Sequence, residues 1–82
     1  MVRIKYYETY GLLHTNWFTV GPNMIIRGVI DTENDNYYKI MQFDNTIIES
    51  GRGHSLRNTK SLVRQALKES GVNFDGEIRR RK

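Results

Sequence analysis

The chain contains no cysteine and only one proline among its 82 residues. Without cysteine there is no disulfide, no thiolate ligand for zinc and no cysteine nucleophile. No apolar run approaches the roughly 20 residues that a membrane-spanning helix needs, and the first residues lack the apolar block of a signal peptide. We therefore expect a soluble cytoplasmic protein that folds as one small domain.

Side chains that carry out catalysis are also scarce. His14 and His54 are the only histidines, and their spacing does not form a helical metal-binding pair. The acidic residues Asp31, Glu33 and Asp35 alternate as in some metal loops, but the glycine and the final glutamate of a calcium loop are missing. No nucleophile-elbow sequence is present. We predict a non-enzymatic protein with no cofactor and no bound metal.

The first half of the chain alternates apolar and polar residues in short runs separated by turn residues, which is typical of β-strands. Five strands are predicted: 2–10, 12–20, 24–31, 37–43 and 46–50. Because the connections between them are short, neighbouring strands should be antiparallel. The predicted fold is α+β, a four- or five-stranded antiparallel meander with one amphipathic helix packed across it. Residues 1–76 form this single domain, and 77–82 form a basic C-terminal strand or tail.

After residue 57 the spacing of the apolar residues changes from the two-residue period of a strand to that of a helix, which predicts a helix there. Asn58 or Thr59 is a suitable N-cap, and the pattern continues to Ser70. Gly71 then stands where a left-handed residue commonly ends a helix. The apolar positions lie within one arc of the helix and should face the core; they are Leu62, Val63, Ala66 and Leu67.

Positive charge is concentrated in the last third of the chain. Residues 1–50 carry four basic and six acidic residues, whereas residues 51–82 carry nine basic and three acidic residues. Such an asymmetry indicates a polyanionic partner. The candidate contacts are Arg52 in a glycine-rich loop, a helical stripe of Arg57, Lys60, Arg64 and Lys68, and a terminal arm containing Arg79, Arg80 and Arg81. A solvated basic face is the alternative explanation of the stripe.

Pairs of adjacent aromatic residues give a second indication of a nucleic-acid partner; these aromatic doublets are Tyr6-Tyr7, Trp17-Phe18 and Tyr37-Tyr38. Alternation places Tyr7 on the same strand face as Arg3 and Lys5. An exposed ring among cations suits base stacking along a single strand. A second buried face or a homodimer contact would use the same ring, so these alternatives stay open.

The segment from Tyr37 to Ser50, with the helix that follows, resembles the small YegP-like ββα family. That family pairs an aromatic-rich strand with a strand ending in Ile-x-x-Ser, as in Ile47–Ser50 here. The resemblance covers residues 36–70. This chain departs from the pattern in having Arg52-Gly53-His54 before the helix instead of an aromatic residue, and in having no second copy of the unit. The resemblance implies a strand–strand–helix arrangement and no particular activity.

Two functions are consistent with these features. The first is a phage-like accessory protein that binds nucleic acid, chiefly its backbone, through the helical stripe and the arginine arm. The alternative is a phage-encoded inhibitor that docks its basic face on an acidic or nucleic-acid-binding surface of a host nuclease, polymerase or defence complex, and would therefore act in the host cytoplasm. Fold-level similarity to the arm-binding domains of phage integrases does not decide between them.

Overall fold

A computed structural model of the protein describes residues 3–74. Residues 75–82, which include the predicted basic strand or tail, lie outside the described residues. Within residues 3–74, six strands precede one helix, which confirms an antiparallel α+β fold. The elements are β1 Tyr6–Thr9, β2 Leu12–Thr15, β3 Phe18–Val20, β4 Met24–Asp31, β5 Tyr37–Gln42, β6 Ile47–Arg52 and α1 Leu56–Glu69.

The strands form one antiparallel sheet in the order β1-β2-β4-β5-β6, and β3 also pairs with β4. The predicted strand 12–20 is therefore two strands, and the predicted count of four or five was too low. The physical reason is a bulge in the pairing with β4. His14 pairs with Val29, and Phe18 pairs with Ile26. Three residues, 15–17, therefore lie opposite two residues, 27 and 28. Inside the bulge the Thr15 hydroxyl accepts a hydrogen bond from the backbone N–H of Gly28 at 3.0 Å.

The same bulge holds the start of the chain against the sheet. Asn16 accepts a hydrogen bond from the backbone N–H of Lys5 at 3.0 Å, and its side-chain amide donates to the carbonyl of Arg3 at 3.1 Å. These bonds use the backbone of residues 3–5, which continues the line of β1 although the strand itself begins at Tyr6. The side chains of Arg3 and Lys5 are left exposed.

The β1–β2 hairpin turns at Tyr10 and Gly11, whose φ angles are 50° and 81°. Two successive residues with positive φ are the requirement of a type I′ turn, which favours asparagine followed by glycine. We expect Tyr10→Asn to raise the free energy of unfolding by about 0.5–1 kcal/mol, because tyrosine is strained at positive φ. The measurement is the urea midpoint, and a lower midpoint would contradict this reading of the turn.

Helix α1 begins at Leu56, earlier than predicted. Ser55 is the N-cap, and its hydroxyl accepts a hydrogen bond from the N–H of Asn58 at 3.1 Å. The Asn58 side chain accepts in return from the N–H of His54 at 2.9 Å, so Asn58 supports the cap without being the cap. At the other end, Gly71 has φ +118° and the N–H of Val72 donates to the carbonyl of Leu67 at 3.0 Å, as predicted.

The core lies between α1 and one face of the sheet. It contains Val63, Ala66 and Leu67 of the predicted apolar arc, with Leu62 packed partly against it. A Cβ at Gly28 would lie only 2.6 Å from Val63 Cγ1, so glycine allows the helix to approach β4 closely. Val72 and Phe74, which follow the helix, complete this core without joining a strand.

Candidate nucleic-acid interface

Strand alternation divides the aromatic doublets between the two faces of the sheet. Phe18 and Tyr38 are buried beneath α1. Their neighbours Trp17 and Tyr37, and likewise Tyr7, lie on the side away from the helix, which we call the open face. No helix within residues 3–74 covers this face.

The open face combines these rings with cations. The strand register places Arg27, Lys39 and Arg52 on it. Among the described residues, Asp31 is the acidic residue that the strand register places on the open face. The Arg52 guanidinium lies 5.5 Å from the centroid of the Tyr37 ring. Arg52 was predicted to lie in a loop before the helix; it is the last residue of β6 and belongs to this face.

One end of the open face carries an aromatic cluster. The rings of Trp17 and Phe43 lie 5.2 Å apart at an interplanar angle of 58°. The Arg27 guanidinium stands 4.3 Å from the Trp17 centroid, a distance at which cation and ring attract. The Arg27 Nε is buried without a hydrogen-bond partner among the described residues. The contact with the Trp17 ring holds the Arg27 guanidinium against the open face.

His14 lies on the open face between Tyr7 and Val29. Burial, and secondly the positive charge of Arg27, lower the pKa of His14 below its usual value of 6.5. The neutral imidazole is therefore favoured in the folded protein. Its Nδ1 is buried and has no hydrogen-bond partner within residues 3–74.

This lowered pKa predicts a loss of stability on mild acidification. As the pH falls through about 6.5, the unfolded chain takes up a proton on His14, whereas the folded protein does so only at lower pH. The free energy of unfolding is therefore higher above this pH and decreases below it. We expect the urea midpoint to fall between pH 7 and 5.5, and His14→Gln to reduce the fall. His54→Gln, at an exposed position, is the control; equal pH profiles for all three proteins would contradict the prediction.

The helical stripe occupies the other side of the molecule, next to the edge formed by β1. Helix α1 begins before position 57, earlier than predicted, so Arg57 lies on it together with the other three cations. Arg57, Lys60 and Arg64 line a shallow groove with Ile4 and Tyr6. The sheet residues Tyr7 and Arg52 lie on the opposite face, so the predicted contacts do not form one surface. Arg79, Arg80 and Arg81 lie outside the described residues.

Two cations of the stripe also pack against aromatic rings. The Lys60 ammonium lies 4.8 Å from the Tyr6 centroid, and the Arg64 guanidinium lies 4.3 Å from the Phe74 centroid. Burial raises the pKa of Tyr6 to about 12. Arg64 and Lys68 each have a further interaction within the chain. The stripe therefore stabilises the fold as well as adding positive charge.

Of the cations and rings on the open face, only Tyr7 and Arg52 were predicted as contacts from the sequence. Arg27 alternates with the buried Ile26, and Lys39 alternates with the buried Tyr38 and Ile40, so the signal was present in the period of the strands. Trp17 and Phe43 could not be paired from the sequence because their contact depends on the bulge.

Within residues 3–74, no group of three histidine or acidic side chains could hold a metal ion. The two glycines before α1, Gly51 in β6 and Gly53 after that strand, allow close packing: a Cβ at Gly51 would lie 2.9 Å from the Tyr38 ring, and one at Gly53 would collide with Thr59. In the described part of the chain no helix is long and apolar enough to cross a membrane.

Comparison with known proteins finds no family model, no curated protein and no solved structure that matches the chain. The resemblance of residues 36–70 to the YegP-like family stays a prediction.

Proposed function

We propose that the protein binds single-stranded nucleic acid, without catalysis, across the open face of its sheet. The observation that carries this proposal is the interleaving of exposed or half-buried rings and cations on a face that α1 leaves uncovered. Tyr7 and Tyr37 would stack with bases, while Lys39 and Arg52 would contact phosphates.

Single strands suit this face better than duplexes do. A base that is not paired exposes its ring to a flat aromatic side chain, and such stacking contributes about 1–3 kcal/mol per base. The major groove of a duplex admits a helix or a two-stranded ribbon, whereas a flat face of several strands is too broad to enter it. Because any base can stack on an aromatic ring, we expect weak base preference. Because phosphate contacts release counterions, we expect affinity to fall strongly as salt is added.

The helical stripe and the arm of Arg79, Arg80 and Arg81 have a supplementary role in this proposal. Strand β1 forms the edge between the two surfaces: Tyr6 faces the stripe, and Tyr7 faces the open side. A strand leaving the open face at this edge would meet the phosphate-binding groups of the stripe. These residues would add backbone affinity without base stacking.

The test is a fluorescence-anisotropy titration with labelled ten-nucleotide thymidine and uridine oligomers at two salt concentrations. We expect micromolar binding that weakens with salt. The double variant Lys39→Glu with Arg52→Glu should weaken binding about tenfold and reduce the log–log salt slope by about 1.4, because single strands contribute about 0.7 per phosphate contact.

The matched control is Arg57→Glu with Lys68→Glu, which changes the net charge by the same amount on exposed helix positions. We expect this variant to lose about threefold in affinity, by loss of long-range attraction. A larger loss in the helix variant than in the sheet variant would move the binding site to the stripe. Absence of binding at low salt would refute the proposed function.

One observation favours the alternative of a protein-binding inhibitor. Phe43 is 69% exposed, and Ile25 and Ile47 are exposed beside it at the Trp17 end of the open face. Exposed apolar patches commonly mark protein interfaces, and a host nuclease, polymerase or defence complex, or a second copy of this chain, could cover this one. Light scattering at increasing protein concentration tests the homodimer, and the oligonucleotide titration separates the two functions.

A further inference from the structure

A groove lies at the edge of the sheet, where residues 3–5 pass the free side of β3. Its volume is about 780 Å³, within the range of about 300–1,000 Å³ that is typical of small-ligand sites. Two aromatic rings, two cations and two amides line it, together with the segment that follows α1; they are Tyr7, Trp17, Arg3, Lys5, Asn16 and Asn73.

The groove offers both kinds of contact that a nucleotide needs. Tyr7 and Trp17 provide aromatic surface for a base, while the side chains of Arg3 and Lys5 supply charged donors for a phosphate. No carboxylate lines the groove within the described chain, so an anion there meets no like charge. These four side chains come from two separate segments that the Asn16 hydrogen bonds hold together.

We propose that this groove is a mononucleotide subsite, in which one base lies against Tyr7 and Trp17 and its phosphate contacts Arg3 and Lys5. The inference rests on the proposed function, because the subsite would receive one nucleotide of the bound strand. Trp17 is shared between this groove and the aromatic cluster around Arg27, so the subsite continues the open face at its edge.

Trp17 is the only tryptophan of the chain, so its fluorescence reports directly on the groove. We expect thymidine 5′-monophosphate to quench it with a saturable curve. Thymidine, which lacks the phosphate, should require about a tenfold higher concentration, since a charge-assisted contact contributes about 1.5–3 kcal/mol.

The decisive variant is Arg3→Gln with Lys5→Gln. It should weaken quenching by the monophosphate about tenfold or more while leaving the fold intact, because the Asn16 bonds involve only the backbone of these residues. The charge-matched control is Asn34→Asp with Gln65→Glu, which lowers the net charge by the same amount at exposed positions that do not line the groove. This variant should give the wild-type curve.

Linear quenching without saturation, or equal curves for the two variants, would overturn the subsite. The oligonucleotide titration tests the proposed function independently of the quenching experiment, which tests the subsite. If oligomers bind with micromolar affinity but the monophosphate does not quench Trp17, the subsite is refuted and the proposed function stands. If oligomers fail to bind, the proposed function is refuted, and saturable quenching by the monophosphate that the Arg3–Lys5 variant abolishes would still establish the groove.

Discussion

Leu67→Ala is expected to lower the free energy of unfolding by about 2–5 kcal/mol, the cost of truncating a buried leucine. Leu67 has no exposed surface and packs in the core between α1 and the sheet. Its carbonyl also accepts the hydrogen bond from Val72 that closes the helix, but alanine retains that bond, so the loss should come from packing. Because small domains are stable by only about 5–15 kcal/mol, the effect should be a large fraction of the total.

The control for this prediction is Leu56→Ala, the same substitution in the same helix. Leu56 is 37% exposed at the first position of α1, and we expect a loss of less than about 1 kcal/mol because little apolar area leaves the core. Chemical denaturation followed by circular dichroism measures both variants. Equal losses at the two positions would show that α1 does not pack as described.

The second large effect concerns binding. Replacing both Tyr7 and Tyr37 with threonine is expected to weaken the affinity for a ten-nucleotide thymidine oligomer about 30-fold or more, because two stacked bases would each lose at least about 1 kcal/mol. Threonine is chosen because it favours β-strands, so the sheet should be retained. Anisotropy titration at low salt measures the loss, and circular dichroism checks the fold.

Tyr10→Asn is the matched control for the tyrosine variants. Tyr10 is 95% exposed at the tip of the β1–β2 hairpin, away from the rows of the open face, so removing its ring should leave affinity within about twofold. If the double variant binds as tightly as wild type, the rings do not stack with bases. Affinity would then come from charge alone, as the helical stripe and terminal arm suggested.

The sequence predicted the parts of this fold that depend on local chemistry. The apolar arc containing Val63 and Leu67 and the helix end at Gly71 follow from periodicity and backbone preference. The start of α1 was misplaced because Ser55, Asn58 and Thr59 are all suitable N-caps. Only the hydrogen bonds of Ser55 and Asn58 decide between them.

The bulge around Asn16 could not be predicted from the sequence. It depends on the registry of two pairings with β4, at His14 and at Phe18, and therefore on long-range contacts. This irregularity splits the predicted second strand, clamps residues 3–5 and brings Trp17 to Phe43. The candidate site was missed for the same reason: the helical stripe is visible in one local pattern, whereas the open face collects single residues from several strands.

The most direct test of the account is a set of amide ¹⁵N–¹H NMR spectra recorded while a ten-nucleotide thymidine oligomer is added to the full-length protein. The account predicts that the largest shifts fall on the open face, at Tyr7, Tyr37, Lys39 and Arg52, and on the indole N–H of Trp17. Smaller shifts should occur along Arg57 to Lys68. Shifts confined to the helix or to residues 75–82, with the open face unchanged, would contradict the claim that the sheet binds the strand.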